Sequence, residues 1–87
     1  MKQVFYGKEV NVETKDQVGV LKECSDFVDS GYVLRWSYFG HVCWMFRLVH
    51  SRNGNEIIVV WKPNLWYVRK NNDIVKKVDC SGVLISD

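Results

Sequence analysis

The chain has 87 residues, 47% of them hydrophobic and 14% aromatic, with twelve Lys and Arg against ten Asp and Glu. That length is short for two domains and that composition is too apolar for disorder, so one core spanning residues 1–87 is expected. A net charge of +2 is too small to tether the chain electrostatically to nucleic acid or a membrane.

At the amino terminus, Met1 to Glu9 has polar interruptions where a signal peptide would need an unbroken apolar stretch. No later run approaches the roughly 20 apolar residues that span a bilayer. Cys24, Cys43 and Cys80 are odd in number and widely spaced, unlike the dense, even sets of small secreted domains. These features predict a cytoplasmic protein with reduced thiols and no membrane contact. Gln3 to Val12 alternates weakly around Gly7-Lys8, which predicts a short hairpin with a two-residue turn there and Phe5 opposite Val10.

Thr14 followed three residues later by Gln17 is a capping-box pattern, in which each residue's side chain satisfies a backbone N–H of the other. It predicts an α-helix over Thr14 to Ser30, ended by Gly31, which takes a left-handed conformation cheaply. Val18, Leu21, Cys24 and Val28, with Val20 and Phe27 beside them, recur at helical spacing and form the expected buried stripe. Glu23, Asp26 and Asp29 are expected on its solvent side.

From Tyr32 onward the composition turns β-branched and aromatic, interrupted by Gly40-His41, Asn53-Gly54, Pro63-Asn64 and Asn71-Asn72. Turn pairs at that spacing predict an antiparallel meander of about four to six strands, packed on the helix as an α+β domain. A type I′ turn at Asn53-Gly54 sets Val49 opposite Ile58 and Phe46 opposite Trp61. Gly40-His41 as a two-residue turn sets Ser37 opposite Trp44, and Pro63-Asn64 pairs Trp61 with Trp66. Asp73 to Ile85 reads equally as a strand or as a short helix capped by Asp73.

Strand alternation then sorts side chains into two faces. The first holds Val33, Phe39, Val42, Trp44, Phe46, Leu48, Ile57, Val59, Trp61, Trp66 and Val68, and is the expected seat of the helix. The second holds Tyr32, Leu34, Trp36, Tyr38, Cys43, Met45, Val49, Ile58, Val60, Leu65 and Tyr67, with Arg47, Lys62 and Arg69 among them. One helix cannot cover both, so the second face needs the chain's own ends, a second copy in a homodimer, or another partner.

Tyr, Trp, Met and Arg are the residue types enriched at protein interfaces. Tyr32, Trp36, Tyr38, Met45, Arg47, Lys62, Tyr67 and Arg69 are therefore the candidate partner-binding residues. The expected activity is stoichiometric association of a non-enzymatic protein with a protein partner, as an inhibitor, adaptor or modulator, a class that includes small viral accessory proteins. The alternative is single-stranded nucleic acid, whose bases stack on aromatic rings while Arg and Lys meet phosphates. That alternative lacks any recognisable RNA-binding motif and has little net charge behind it.

His41, Cys43, His50, Cys24 and Cys80 lack the short-spaced pairs of structural zinc sites, and no metal or other cofactor is expected. Cys43 with His41 or His50 is the one nucleophile and base pair worth naming. No hydrolase, metalloprotease or phosphate-loop pattern accompanies it, and no enzymatic activity is expected.

Overall fold

The computed structural model describes residues 1–85. Its elements in chain order are β1 (Lys2–Phe5), β2 (Lys8–Asn11), α1 (Lys15–Asp29), β3 (Tyr32–Phe39), β4 (Trp44–His50), β5 (Glu56–Lys62), β6 (Leu65–Lys70) and β7 (Asp73–Asp79). Strands β1 and β2 form a separate hairpin, and β3 to β7 form a five-stranded antiparallel meander in sequence order. This is the expected α+β domain, and of the ambiguous stretch Asp73 to Ile85 the part Asp73–Asp79 is a strand. No helix is long and apolar enough to cross a membrane among the described residues.

The helix starts as its sequence requires. Gln17 N–H donates to Thr14 Oγ1 at 3.3 Å, while Gln17 Oε1 accepts from the N–H groups of Glu13 and Thr14 at 2.6 and 3.3 Å. Ser30 caps the other end, and Gly31 follows at φ +103°. A Cβ on Gly31 would lie 3.0 Å from His50 Nε2, so both backbone conformation and space call for glycine.

The buried stripe is rotated from the expected one. Val20, Leu21 and Cys24 are buried along with Asp16 and Gln17, whereas Val18 is exposed. Burying Asp16 is possible because its carboxylate accepts the Trp61 indole N–H at 2.8 Å, and it sits in the first helical turn, where the macrodipole favours negative charge. Glu23 also departs from expectation: it is largely buried and receives Lys76 Nζ at 3.1 Å, which also lies over the Trp66 ring. That contact ties β7 to the helix.

Three hairpin registers differ from expectation, each by two residues. Tyr6-Gly7 is the first turn, with φ of +47° and +83°, so Phe5 pairs with Lys8 and Gln3 with Val10. Phe39 pairs with Trp44 across a loop of residues 40–43, and Ser37 pairs with Phe46. Asn53-Gly54 closes a hairpin, but within a loop of residues 51–54 that pairs Phe46 with Val59 and Val49 with Glu56. Asn53 Oδ1 instead accepts the Asn55 N–H at 2.9 Å, and only Gly54 takes positive φ, its N–H reaching His50 O at 3.0 Å. The local side-chain bond competes with the type I′ geometry and wins. Asn71-Asn72, at φ +49° and +73°, has the dihedrals expected of Asn53-Gly54.

A two-residue slip leaves every side chain on its own face, so most of the face assignment survives. A bulge does not. The β3–β4 register breaks between Leu34 and Trp36, leaving Arg35 as the extra residue and reversing the residues before it. Tyr32 and Leu34 therefore join the first face, and Val33 moves to the second. Val42 and Cys43 fall in the 40–43 loop rather than on a strand.

On the first face, Trp44, Phe46, Leu48, Ile57, Val59, Trp61, Trp66, Val68 and Val78 are buried beneath the helix and the β1–β2 hairpin. Phe5 seats the hairpin by edge contacts to Phe46 and Phe39, at 5.7 and 6.2 Å between centroids. Residues 80–85 turn back along β7, where Leu84 bridges to Val78 and Ile85 N–H reaches Lys77 O at 2.9 Å. Asp79 organises this turn. The Ser81 hydroxyl, with the Val83 N–H, holds its carboxyl below the usual carboxylate range.

Candidate functional site

The β1–β2 hairpin packs on the first face and residues 80–85 lie along an edge, so among the described residues the second face is left open. Its side chains form rows across the strands, neighbours in a row standing about 4.8 Å apart. One row runs Trp36, Arg47, Ile58, Arg69, Ile74; the next runs Tyr38, Met45, Val60, Tyr67, Lys77. Val33 and Val49 lie beyond the first row, Lys62 and Leu65 beyond the second.

Seven of the eight expected residues thus share one surface: Trp36, Tyr38, Met45, Arg47, Lys62, Tyr67 and Arg69. Tyr32 does not. The bulge turns it to the helix side, where its ring meets Phe27 at 5.3 Å and His50 at 4.9 Å. Its phenol belongs to the packing between α1 and the sheet.

Exposure is uneven across the face. Trp36 and Tyr38 are 50% and 51% exposed, whereas Trp44, Trp61 and Trp66 on the other side are 3%, 4% and 5% exposed. Met45, Val49, Ile58, Leu65 and Tyr67 are half-buried, and Val60 is buried between its neighbours. The Trp36 and Tyr38 rings lie nearly parallel, 8° apart with centroids 6.3 Å from one another. A Cβ on Gly40 would come within 2.7 Å of the Tyr38 ring, so the glycine leaves room for the ring to lie low beside the 40–43 loop. The result is an aromatic shelf at the β3 edge leading onto an aliphatic floor.

Charge on this face is mostly positive. Arg47 Nε donates to Glu56, a pair exposed on both sides and worth at most about 1 kcal/mol. Lys62 and Arg69 form no ion pair among the described residues. Asp79 aligns with Leu65 but spends its carboxylate on its own turn.

Sequence reasoning did not place Val33 or Ile74 here, both of which are exposed. Val33 depends on the bulge, which no residue type announces. Ile74 was accessible, since an Asn71-Asn72 turn pairs Lys70 with Asp73 and Arg69 with Ile74, the observed register.

The remaining chemistry is dispersed. Cys43, in the 40–43 loop, and His50, at the far end of β4, are separated by the length of that strand, about 20 Å, and the Cys43 thiol is directed to the Trp44 carbonyl at 3.9 Å. Among the described residues, no three His, Cys, Asp or Glu side chains converge on a position for a metal ion. A cleft of about 800 Å³ lies between the amino-terminal end of α1, β2 and the 40–43 loop. Its buried polar groups, Asp16 and Gln17, are engaged in the Trp61 hydrogen bond and the helix cap.

No protein-family model, curated protein or solved structure matches this chain.

Proposed function

We propose that this protein is a small, non-enzymatic binding protein that associates stoichiometrically with a protein partner through the open sheet face, acting as an inhibitor, adaptor or modulator. The observation that carries this reading is the uncovered second face, apolar enough to form a core yet bearing a half-exposed Trp and Tyr shelf. Trp36, Tyr38, Met45 and Tyr67 serve as anchors, and Arg47, Lys62 and Arg69 steer the partner and set its register. Association occludes whatever surface the partner presents. Three free cysteines suit a reducing compartment, in keeping with a cytoplasmic protein.

Single-stranded nucleic acid on the same face is the competing reading, supported by the aromatic shelf and the free cations. It is the weaker one because the floor between shelf and cations, Met45, Ile58 and Val60, offers aliphatic side chains where bases need rings to stack on.

The test is affinity capture from the source cell with the native chain and with a Trp36→Ala/Tyr67→Ala variant. The proposal expects a captured protein at equimolar ratio that the variant loses while its circular dichroism is unchanged. A variant that unfolds, or that captures equally well, removes the reading. A parallel titration with mixed oligonucleotides separates the two classes, since phosphate contacts make affinity fall by orders of magnitude from low to moderate salt.

A further inference from the structure

The two layers of the molecule carry opposite charge. Residues 13–29, which include the helix, hold five carboxylates against Lys15 and Lys22. On the open sheet face Lys62 and Arg69 form no ion pair among the described residues, and of the two carboxylates there Glu56 is matched by Arg47 while Asp79 accepts from Ser81 and the Val83 N–H. A positive rim around an apolar floor discriminates by sign: it favours a negative partner and opposes a positive one.

Resting on the binding reading above, we infer that the occupant of this face is an acidic protein segment whose carboxylates flank an aromatic or aliphatic anchor. A second copy of this chain is the poorer occupant, because face-to-face pairing would set one basic rim against another. A polyanion without apolar groups would satisfy Lys62 and Arg69 but leave the Met45, Ile58 and Val60 floor in water. The anchor fills the floor beside Trp36, and the carboxylates reach Arg69 on one side and Lys62 on the other. From Trp36 to Ile74 the row crosses four strand spacings, about 19 Å, which a helix of about 13 residues or an extended segment of about six would span.

Panning a display library of random peptides of about 13 residues against the immobilised full chain tests this. Enriched peptides are expected to carry net negative charge around an aromatic or aliphatic residue. They should lose at least about tenfold in affinity to a Lys62→Glu/Arg69→Glu variant and to the Trp36→Ala/Tyr67→Ala variant, with the emission of the three buried Trp unchanged in both. Peptides that need Trp36 and Tyr67 but show no acidic bias, or that tolerate the charge reversal, overturn this inference and leave the binding reading standing. If no peptide is enriched over the bare support, if enriched peptides ignore Trp36 and Tyr67, or if oligo(dT) outcompetes every one of them, both fail.

Discussion

The two faces of the five-stranded sheet are built from nearly the same alphabet and have opposite fates. On the helix side, Phe46, Leu48 and Val59 are fully buried; on the other, Trp36 and Tyr38 keep half their surface in water. Hydrophobicity alone therefore does not decide burial here. What differs is the supply of covering elements: the helix and the amino-terminal hairpin both settle on one side, and residues 80–85 run along an edge. An α+β domain with one helix normally leaves a polar outer face, and the apolar one here is what the binding proposal rests on.

The contrast can be broken at its strongest point first. Phe46→Ala should destabilise the protein by about 3–5 kcal/mol in urea unfolding, because a fully buried ring leaves a cavity that rigid neighbours cannot fill. A loss below about 1 kcal/mol would mean that the helix-side core is loosely packed. Trp61→Phe keeps much of the apolar volume but removes the donor to the buried Asp16 carboxylate, at an expected cost of about 1–3 kcal/mol. Asp16→Asn in the same background should recover part of that loss, since a neutral amide is cheaper to leave without its partner.

Cys24 tests how dry the helix-side core is. Burial, reinforced by neighbouring Glu23, holds its thiol well above the usual range. The folded state thus keeps a proton that the unfolded chain releases, so this contribution is intact below the unfolded thiol's value of about 8.5 and is lost as pH rises beyond it. Stability should fall by up to about 1.4 kcal/mol per pH unit from this group, and Cys24→Ala should flatten that part of the alkaline profile. Identical slopes for both proteins would place water at the thiol.

The smallest effect belongs to the open face. Trp36→Ala should change stability by no more than about 0.5 kcal/mol, the range of surface substitutions, while the proposed partner binding is lost. A penalty comparable to that of Phe46→Ala would erase the distinction between the faces. Iodide quenching offers a check without mutation: Trp36 should be quenched freely and the other three Trp protected.

Much of this was legible in the sequence. Thr14 and Gln17 announced the helix start, and the turn pairs announced the meander, because capping and turn chemistry act over three or four residues and need no tertiary partner. The rotation of the helix stripe away from Val18 was not legible. It depends on Trp61, 45 residues from Asp16 in the chain, supplying a hydrogen bond that lets a carboxylate be buried. Tyr32 was misplaced for a related reason: an irregularity at Arg35 reverses the strand before it, and alternation counted from the far end cannot register an inserted residue.

Asn53-Gly54 shows where the boundary falls. By itself the sequence determined that a hairpin closes there and, through the period of two, which side chains travel together, since a two-residue slip returns each of them to its own face. The length of the loop, the bulge in β3 and above all which face is covered were decided only by the tertiary structure. Alternation is a property of one strand, whereas coverage is a competition among the helix, the hairpin and the chain's end for the same surface. Here the helix and hairpin took one side, and the rows from Trp36 to Ile74 and from Tyr38 to Lys77 were left open.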